Sequence, residues 1–181
     1  MNNKTIAITS ILDTDADEIT RKFWSSLIEN CQILGFHLAP TPHLSWQTAD
    51  NYDIDIVDKK INQITEIIRP FKVRTAGFGI FNDETYNLFL NISPTEELIK
   101  THKLLWELFC NSSSTINPLY EPGVWLPHIS ISFLKIDLDD LLCGISSIID
   151  KPLTFEISIS SIDLLYATDD DFGIISRHFL K

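Results

Sequence analysis

The chain has little positive charge, no long apolar run and only three cysteines, and each shortage excludes something. Of 181 residues, 14 are Lys or Arg against 25 Asp or Glu, a net charge of −11 and a sequence pI near 4.7. Such a surface repels polyanions, so extended nucleic-acid binding is not expected. A small anion in one locally positive pocket remains compatible with it. No stretch reaches the roughly 18 consecutive apolar residues of a membrane-spanning helix, and no membrane partner is expected. Met1-Asn2-Asn3-Lys4 passes directly into a strand-like segment, without the apolar core and cleavage site of a secretory signal. Cys31, Cys110 and Cys143 lie in apolar, helix-like contexts with no metal-ligand spacing. They read as buried free thiols of a reducing compartment, so cytoplasm is the expected location. There is no glycine-rich phosphate loop, nucleophile elbow, His-Glu-x-x-His or calcium loop.

What is present is enough apolar material to fold: 44% hydrophobic and 10% aromatic residues, with mean hydropathy +0.07. This composition argues against disorder and fits one ordinary domain, or two small lobes sharing a core. The most informative feature is a phrase written twice, Pro42-His43-Leu44-Ser45 and Pro127-His128-Ile129-Ser130. With 8 Pro and 5 His in the chain, random order predicts about 0.02 Pro-His-x-Ser words. Each copy begins a strand-like run. His and Ser, two positions apart, therefore project from one face of a sheet.

The rest of the chain places the two copies in comparable halves. Residues 5–12 alternate as a strand. Residues 13–34 read as a helix, with Asp13 or Thr14 as N-cap and Gly35 at C′. The first phrase lies in an extended stretch, 37–48. A helix over 54–68 ends at Pro70, and 71–81 with 86–92 form a hairpin around the turn 82–85. A helix capped by Ser93 with Pro94 at N1 runs to about 110. Residues 111–122 read as a mobile polar loop, and 126–134 as the strand of the second phrase. A short helix over 137–149 precedes a last hairpin, 153–167 and 173–180, across Asp169-Asp170-Asp171. The expected fold is α+β in the order β-α-β-α-β-β-α-β-α-β-β, with no linker dividing residues 1–181.

Two histidines suit phosphodiester chemistry. Opening or closing a cyclic phosphodiester requires a base on one side of phosphorus and an acid on the other, and imidazole serves either role near neutral pH. A hydroxyl two residues on can bond a non-bridging oxygen. The carboxylates show no metal-cage spacing, and no metal or cofactor is expected. A single histidine at a strand start is more simply a satisfied polar residue; the matched pair favours function.

The twin phrases resemble the paired His-x-Ser/Thr motifs of the two-histidine (2H) phosphoesterase superfamily, most closely its bacterial 2′-5′ RNA ligase-like branch. The resemblance covers most of the chain. Residues 71–81 are similar to the strand following the first motif, 98–105 to the family's leucine-histidine helix, 125–131 to the run into the second motif, and 162–166 to its C-terminal hairpin. It implies a bilobal fold, two pseudo-symmetric antiparallel-sheet lobes with outer helices and the motif strands side by side at the floor of a cleft. Residues 1–181 would then be one domain of two interleaved lobes. It further implies metal-independent hydrolysis of a cyclic phosphodiester, a 2′,3′-cyclic nucleotide or an RNA-terminal cyclic phosphate, with reversible 2′-5′ ligation in some members. His43 and His128 carry over as the acid–base pair, and Ser45 and Ser130 as phosphate-binding hydroxyls. Both hydroxyl positions are Ser, where Thr is common in the family.

Basic residues near the motifs are few. Lys135 lies downstream of the second, while Arg74 and Arg177 sit on strands that can approach as substrate-binding residues; a solvated strand face is the plainer reading of both. Arg177 and His178 alternate in facing, so one at most enters a cleft. Tyr120 and Trp125 are candidates to stack on a base, ahead of Tyr86, Phe78 and Trp46, the last two of which favour packing. His102 is expected to be structural, and His37 has no evident partner. The leading reading is a monomeric cyclic phosphodiesterase. The alternative is a non-catalytic nucleotide- or phosphate-binding module on the same fold, motivated by the acidic surface.

Overall fold

The computed structural model describes residues 4–32, 41–82, 85–132, 136–168 and 171–181. The expectations placed on Gly35, His37, Lys135, the turn residues 83–84 and the pair 169–170 lie outside them. Nine strands and four helices are described: β1 (Thr5–Ile11), α1 (Thr14–Cys31), β2 (His43–Asp50), α2 (Ile54–Ile64), β3 (Phe71–Asn82), β4 (Tyr86–Ile92), α3 (Glu96–Phe109), β5 (Thr115–Ile116), β6 (His128–Ser130), α4 (Leu138–Ile148), β7 (Glu156–Ile159), β8 (Ser161–Ala167) and β9 (Phe172–Phe179), with a 3-10 turn at Pro118–Tyr120.

The strands form two antiparallel sheets, ordered β5-β2-β1-β8-β9 and β6-β4-β3-β7. Helices α1 and α4 touch each other and back the second sheet through β7 and β4; α2 and α3 back the first through β8, β9 and β2. The fold is α+β with paired sheets and outer helices, as expected. The buried apolar side chains make one connected cluster, with Leu27, Ile61, Leu105 and Ile148 from the four helices and Leu44, Leu90 and Ile129 from the strands. Each such side chain contributes about 1.5–3 kcal/mol on burial. Leu44 and Ile129, both fully buried, separate the His and Ser of each motif. A one-residue slip would expose them and bury both polar neighbours, so their burial holds each motif in register.

Local capping follows the sequence at several ends and departs from it at others. Asp13 and Asp137 are N-caps, their carboxylates accepting from the N–H groups of Ala16 and Asp140. Helix α1, however, ends at Gln32 in the left-handed region, φ 54°, three residues before the glycine expected to end it. Helix α3 is capped by Thr95, whose hydroxyl accepts from Leu98 N–H, and not by Ser93. Ser93 instead donates its N–H to the Arg74 carbonyl, which keeps it with the sheet.

Three larger expectations are corrected. The stretch 111–122 is structured: β5 adds to the edge of β2, Asn117 N–H donates to Thr48 O, and the Ser113 hydroxyl donates to Asp50 O. Its polar side chains serve turn and edge bonds, a pattern indistinguishable by composition from a mobile loop. The strand expected over 153–167 is two strands in different sheets, β7 against β3 and β8 between β1 and β9. The alternation of β7, with Ile157 and Ile159 buried and Glu156 exposed, passes into the buried run of β8 through Ser160, with no glycine or proline to mark the switch. Finally, Cys31 and Cys143 form a disulfide and Cys110 alone is free. The two partners sit on α1 and α4, 112 residues apart, and only the packing of those helices brings them together. The pairing removes the ground for inferring a reducing compartment from the cysteines. No described helix is long and apolar enough to cross a membrane.

A crosslink closing so long a loop chiefly restricts the unfolded chain. Cys143→Ser is expected to lower stability by about 2–4 kcal/mol, read as a shift in the urea midpoint that reductant reproduces in the parent protein and does not add to in the variant.

Candidate active site

Both motifs are built alike. The residue before each proline is held extended by the ring that follows it, and the proline starts the strand where no ladder N–H is needed. Pro42 O accepts from Leu12 N–H at 3.1 Å, and Pro127 O accepts from Ile92 N–H at 3.0 Å, so each phrase is tied to its neighbouring strand by the same bond. The histidine that follows bends back on the carbonyl two residues earlier. His43 Nδ1–H donates to Thr41 O at 2.8 Å, and His128 Nδ1–H donates to Leu126 O at 2.7 Å. A carbonyl can only accept, so this bond selects the Nδ1–H tautomer and leaves the acceptor lone pair on Nε2. In each copy the pattern is Pro buried, His half-buried, Leu or Ile buried and Ser half-buried.

The two strands lie next to each other, β2 of the first sheet in contact with β6 of the second. His43 and His128 are near enough that charge on His128 opposes protonation of His43. Burial pushes both imidazoles below the usual 6.5, against the raising effect of the Thr41 and Leu126 carbonyls. Both are therefore mainly neutral at neutral pH. An anion between them would favour the protonated form of each. Ser45 pairs across the ladder with Thr9, and Ser130 with Phe89.

The walls on either side differ. In the first sheet the row Ser45, Thr9, Asp163, Arg177 crosses four strands on the face that carries His43. Asp163 is fully buried, where its carboxylate accepts from Ile11 N–H at 2.7 Å and from the Ser161 hydroxyl at 2.8 Å, with Arg177 Nε at 3.5 Å. Burial pushes its carboxyl upward, and the two hydrogen bonds and the guanidinium oppose the shift. In the second sheet the matching row is Ser130, Phe89, Gly79. Phe89 lies edge-on to His128 at 5.2 Å between centroids, and Phe81 does the same at 5.0 Å.

The other candidates separate clearly. Arg177 lines a second cavity with Thr41, Asp13 and Asp17. His178 faces the opposite side and bonds Asp58 of α2 at 2.8 Å, as alternation required. Arg74 is exposed, opposite Glu156 on β7, and lines neither cavity. Trp125 also lines the cavity beside His128, though it is buried, stacked on His102 at 3.9 Å and on Trp46 at 5.6 Å, with Nε1–H donating to Ser45 O. Trp46 is core, as expected, and Phe78 and Tyr86 pack against the core. Tyr120 lines the cavity beside His128, and burial pushes its hydroxyl pKa upward, opposed by the nearby hydroxyls of Ser45 and Thr48. His102 Nε2–H donates to Tyr120 O at 3.0 Å, so it holds both aromatic residues against the first motif. Phe81, Phe89 and Asp163 were missed. A carboxylate within the apolar run Ile162-Asp163-Leu164-Leu165 was the available signal for the last. Among the described residues, no group of three or more His, Cys, Asp or Glu side chains is placed to hold a metal ion.

Burial lowers the His102 pKa to about 4. The folded state thus favours neutral His102, and stability present above 6.5 is lost as pH falls from 6.5 towards 4, by up to about 3 kcal/mol. In His102→Gln this part of the acid sensitivity is expected to disappear, seen as a smaller loss of urea midpoint between those pH values. Equal losses in both proteins would contradict the role.

The comparisons with known proteins agree with this geometry. The family model described as the 2'-5' RNA ligase superfamily matches residues 17–171. No curated protein matches the chain significantly. Among solved structures, TT0787 of Thermus thermophilus is similar over 97% of both chains at 14% identity, TM-score 0.66. E. coli LigT complexed with 3'-AMP is similar over 99% of both chains at 12% identity, TM-score 0.64. LigT complexed with NADP+ is similar over 100% of this chain and 99% of its own, at 12% identity and TM-score 0.55. At these identities the likeness speaks for the fold, and the family match covers most of the chain. This protein belongs to the 2'-5' RNA ligase superfamily.

Proposed function

We propose that this protein opens a cyclic phosphodiester, a 2′,3′-cyclic nucleotide or an RNA-terminal cyclic phosphate, by two-histidine acid–base catalysis. His43 and His128 are the acid–base pair, and Ser45 and Ser130 hold non-bridging phosphate oxygens. The observation that carries the reading is the identical placement of two charge-coupled histidines, each with Nδ1–H on the carbonyl two residues before it. One neutral imidazole takes a proton from water as it attacks phosphorus. The other, protonated once the phosphate anion is bound, gives its proton to the leaving ribose oxygen. With a ribose 5′-hydroxyl attacking in place of water the same ring opening is 2′-5′ ligation, and when either reaction runs in reverse the two histidines trade roles. Neither half of the exchange requires a metal or cofactor. That E. coli LigT takes 3'-AMP and NADP+ supports a nucleotide-sized substrate, and the single connected core supports reading residues 1–181 as one domain.

A non-catalytic nucleotide-binding module is favoured by one observation, the scarcity of cations about the site among the described residues. Prolonged incubation with a 2′,3′-cyclic nucleotide separates the readings. Binding with no product over hours would leave only the module.

His43→Ala and His128→Ala are each expected to reduce turnover of a 2′,3′-cyclic nucleotide at least about 100-fold, while EDTA changes nothing. Full activity in either variant contradicts the mechanism. In the parent protein, kcat/KM rises with pH as the base loses its proton and falls as the acid loses its own. Burial lowers both pKa values, so the kcat/KM bell is expected to centre below 6.5, with the kcat bell displaced upward by the bound anion.

A further inference from the structure

We infer that Trp125 is a positioning residue for the histidine pair: its indole N–H, set on the Ser45 carbonyl, ties the approach to the second motif onto the strand of the first and so sets the separation of His43 and His128. The inference rests on the two-histidine site proposed above and says what holds its halves together.

The two motifs need such a tie because no strand ladder supplies one. β2 is laddered to β1 and β5, and β6 to β4, so among the described residues no rung joins the strands that carry the histidines. The ring bonds do not set the spacing either. His43 leans on Thr41 O and His128 on Leu126 O, each within its own motif, which orients a ring and leaves the distance between rings unset. In-line displacement at one phosphorus depends on that distance, because acid and base must reach opposite sides of the same atom.

Trp125 crosses the gap. It directly precedes Leu126, whose carbonyl holds His128, and it donates Nε1–H to Ser45 O at 3.1 Å, across 80 residues of chain. That carbonyl is open to it for a reason. β5 covers Ala49 and Asp50 of β2, and Thr48 O takes the Asn117 N–H. The ladder to β1 then passes from Gln47 to Ser45 without Trp46, a bulge that shifts by one residue which groups face the open edge. Past the bulge, Ser45 O is filled from the side by the indole. The indole itself is clamped: it lies 9° from the plane of the His102 ring of α3 and 29° from that of Trp46, with 9% of its surface exposed. Trp125 N–H donates to Glu121 O at 3.0 Å, which fixes the turn before it. A buried tryptophan usually finds some acceptor for its N–H. Here the acceptor belongs to the residue whose hydroxyl is proposed to hold phosphate.

The test removes the donor and keeps the rings. Benzothienylalanine placed at position 125 carries sulfur where the indole has N–H, in a side chain of nearly the same shape. Nitrogen NMR is expected to show both His43 and His128 still as Nδ1–H tautomers, because those bonds are local. Inorganic phosphate is expected to move the two histidine signals at different concentrations, where in the parent protein it moves them together. Turnover of a 2′,3′-cyclic nucleotide is expected to fall roughly 10- to 100-fold in kcat. Trp125→Phe, which also lacks the donor, is expected to lose kcat to the same extent; if its smaller ring prevents folding, the benzothienyl protein decides. Parental kcat, or a phosphate response still shared by both histidines, overturns the inference. So does loss of either tautomer, since the damage then lies within a motif and not between the two. If the parent protein opens no cyclic nucleotide, the hydrolytic reading fails, and the phosphate response alone decides whether Trp125 positions the pair.

Discussion

Each motif histidine donates its Nδ1 proton to the carbonyl two residues before it, and that bond, made twice, is what the rest of the site depends on. It fixes the tautomer, turns the ring and directs the basic nitrogen Nε2. The bond in turn depends on the proline between carbonyl and histidine, which holds the preceding residue extended, and on Leu44 and Ile129, whose burial locks the strand register. The placement of both imidazoles thus rests on backbone geometry and core packing. Burial then sets both imidazoles towards neutrality, and in the proposed reaction the arriving anion supplies the charge that makes one of them an acid.

Much of this was legible in the sequence, for a physical reason. Alternation along a strand determines which side chains share a face, so His43 with Ser45, His128 with Ser130, and the divergence of Arg177 from His178 followed from spacing alone. The helix cap at Asp13, one of the two residues offered for it, was readable because its bond is local. What was not legible depends on partners far away in the chain. The Cys31–Cys143 bridge needs α1 against α4; the break between β7 and β8 needs two sheets; the turn over 115–120 is ordered by Asp50 and Thr48. Trp125, a candidate for stacking on a base, is covered by His102 and Trp46. Phe81, at the end of a hairpin strand, keeps more of its ring exposed in the same cavity.

The two lobes are alike in backbone and unlike in chemistry. Where the first sheet carries Thr9, Asp163 and Arg177 across its cleft face, the second carries Phe89 and Gly79 at the corresponding positions. The two histidines proposed as the acid–base pair thus lie between unlike walls. The acidic surface disfavours long polyanions.

The most direct test of the account is nitrogen NMR of the two imidazoles during titration with inorganic phosphate. The account predicts that His43 and His128 are both Nδ1–H tautomers in the free protein, each with a pKa below the usual 6.5, and that both respond together to one bound phosphate. An Nε2–H tautomer at either residue, or a response confined to one of them, would contradict it.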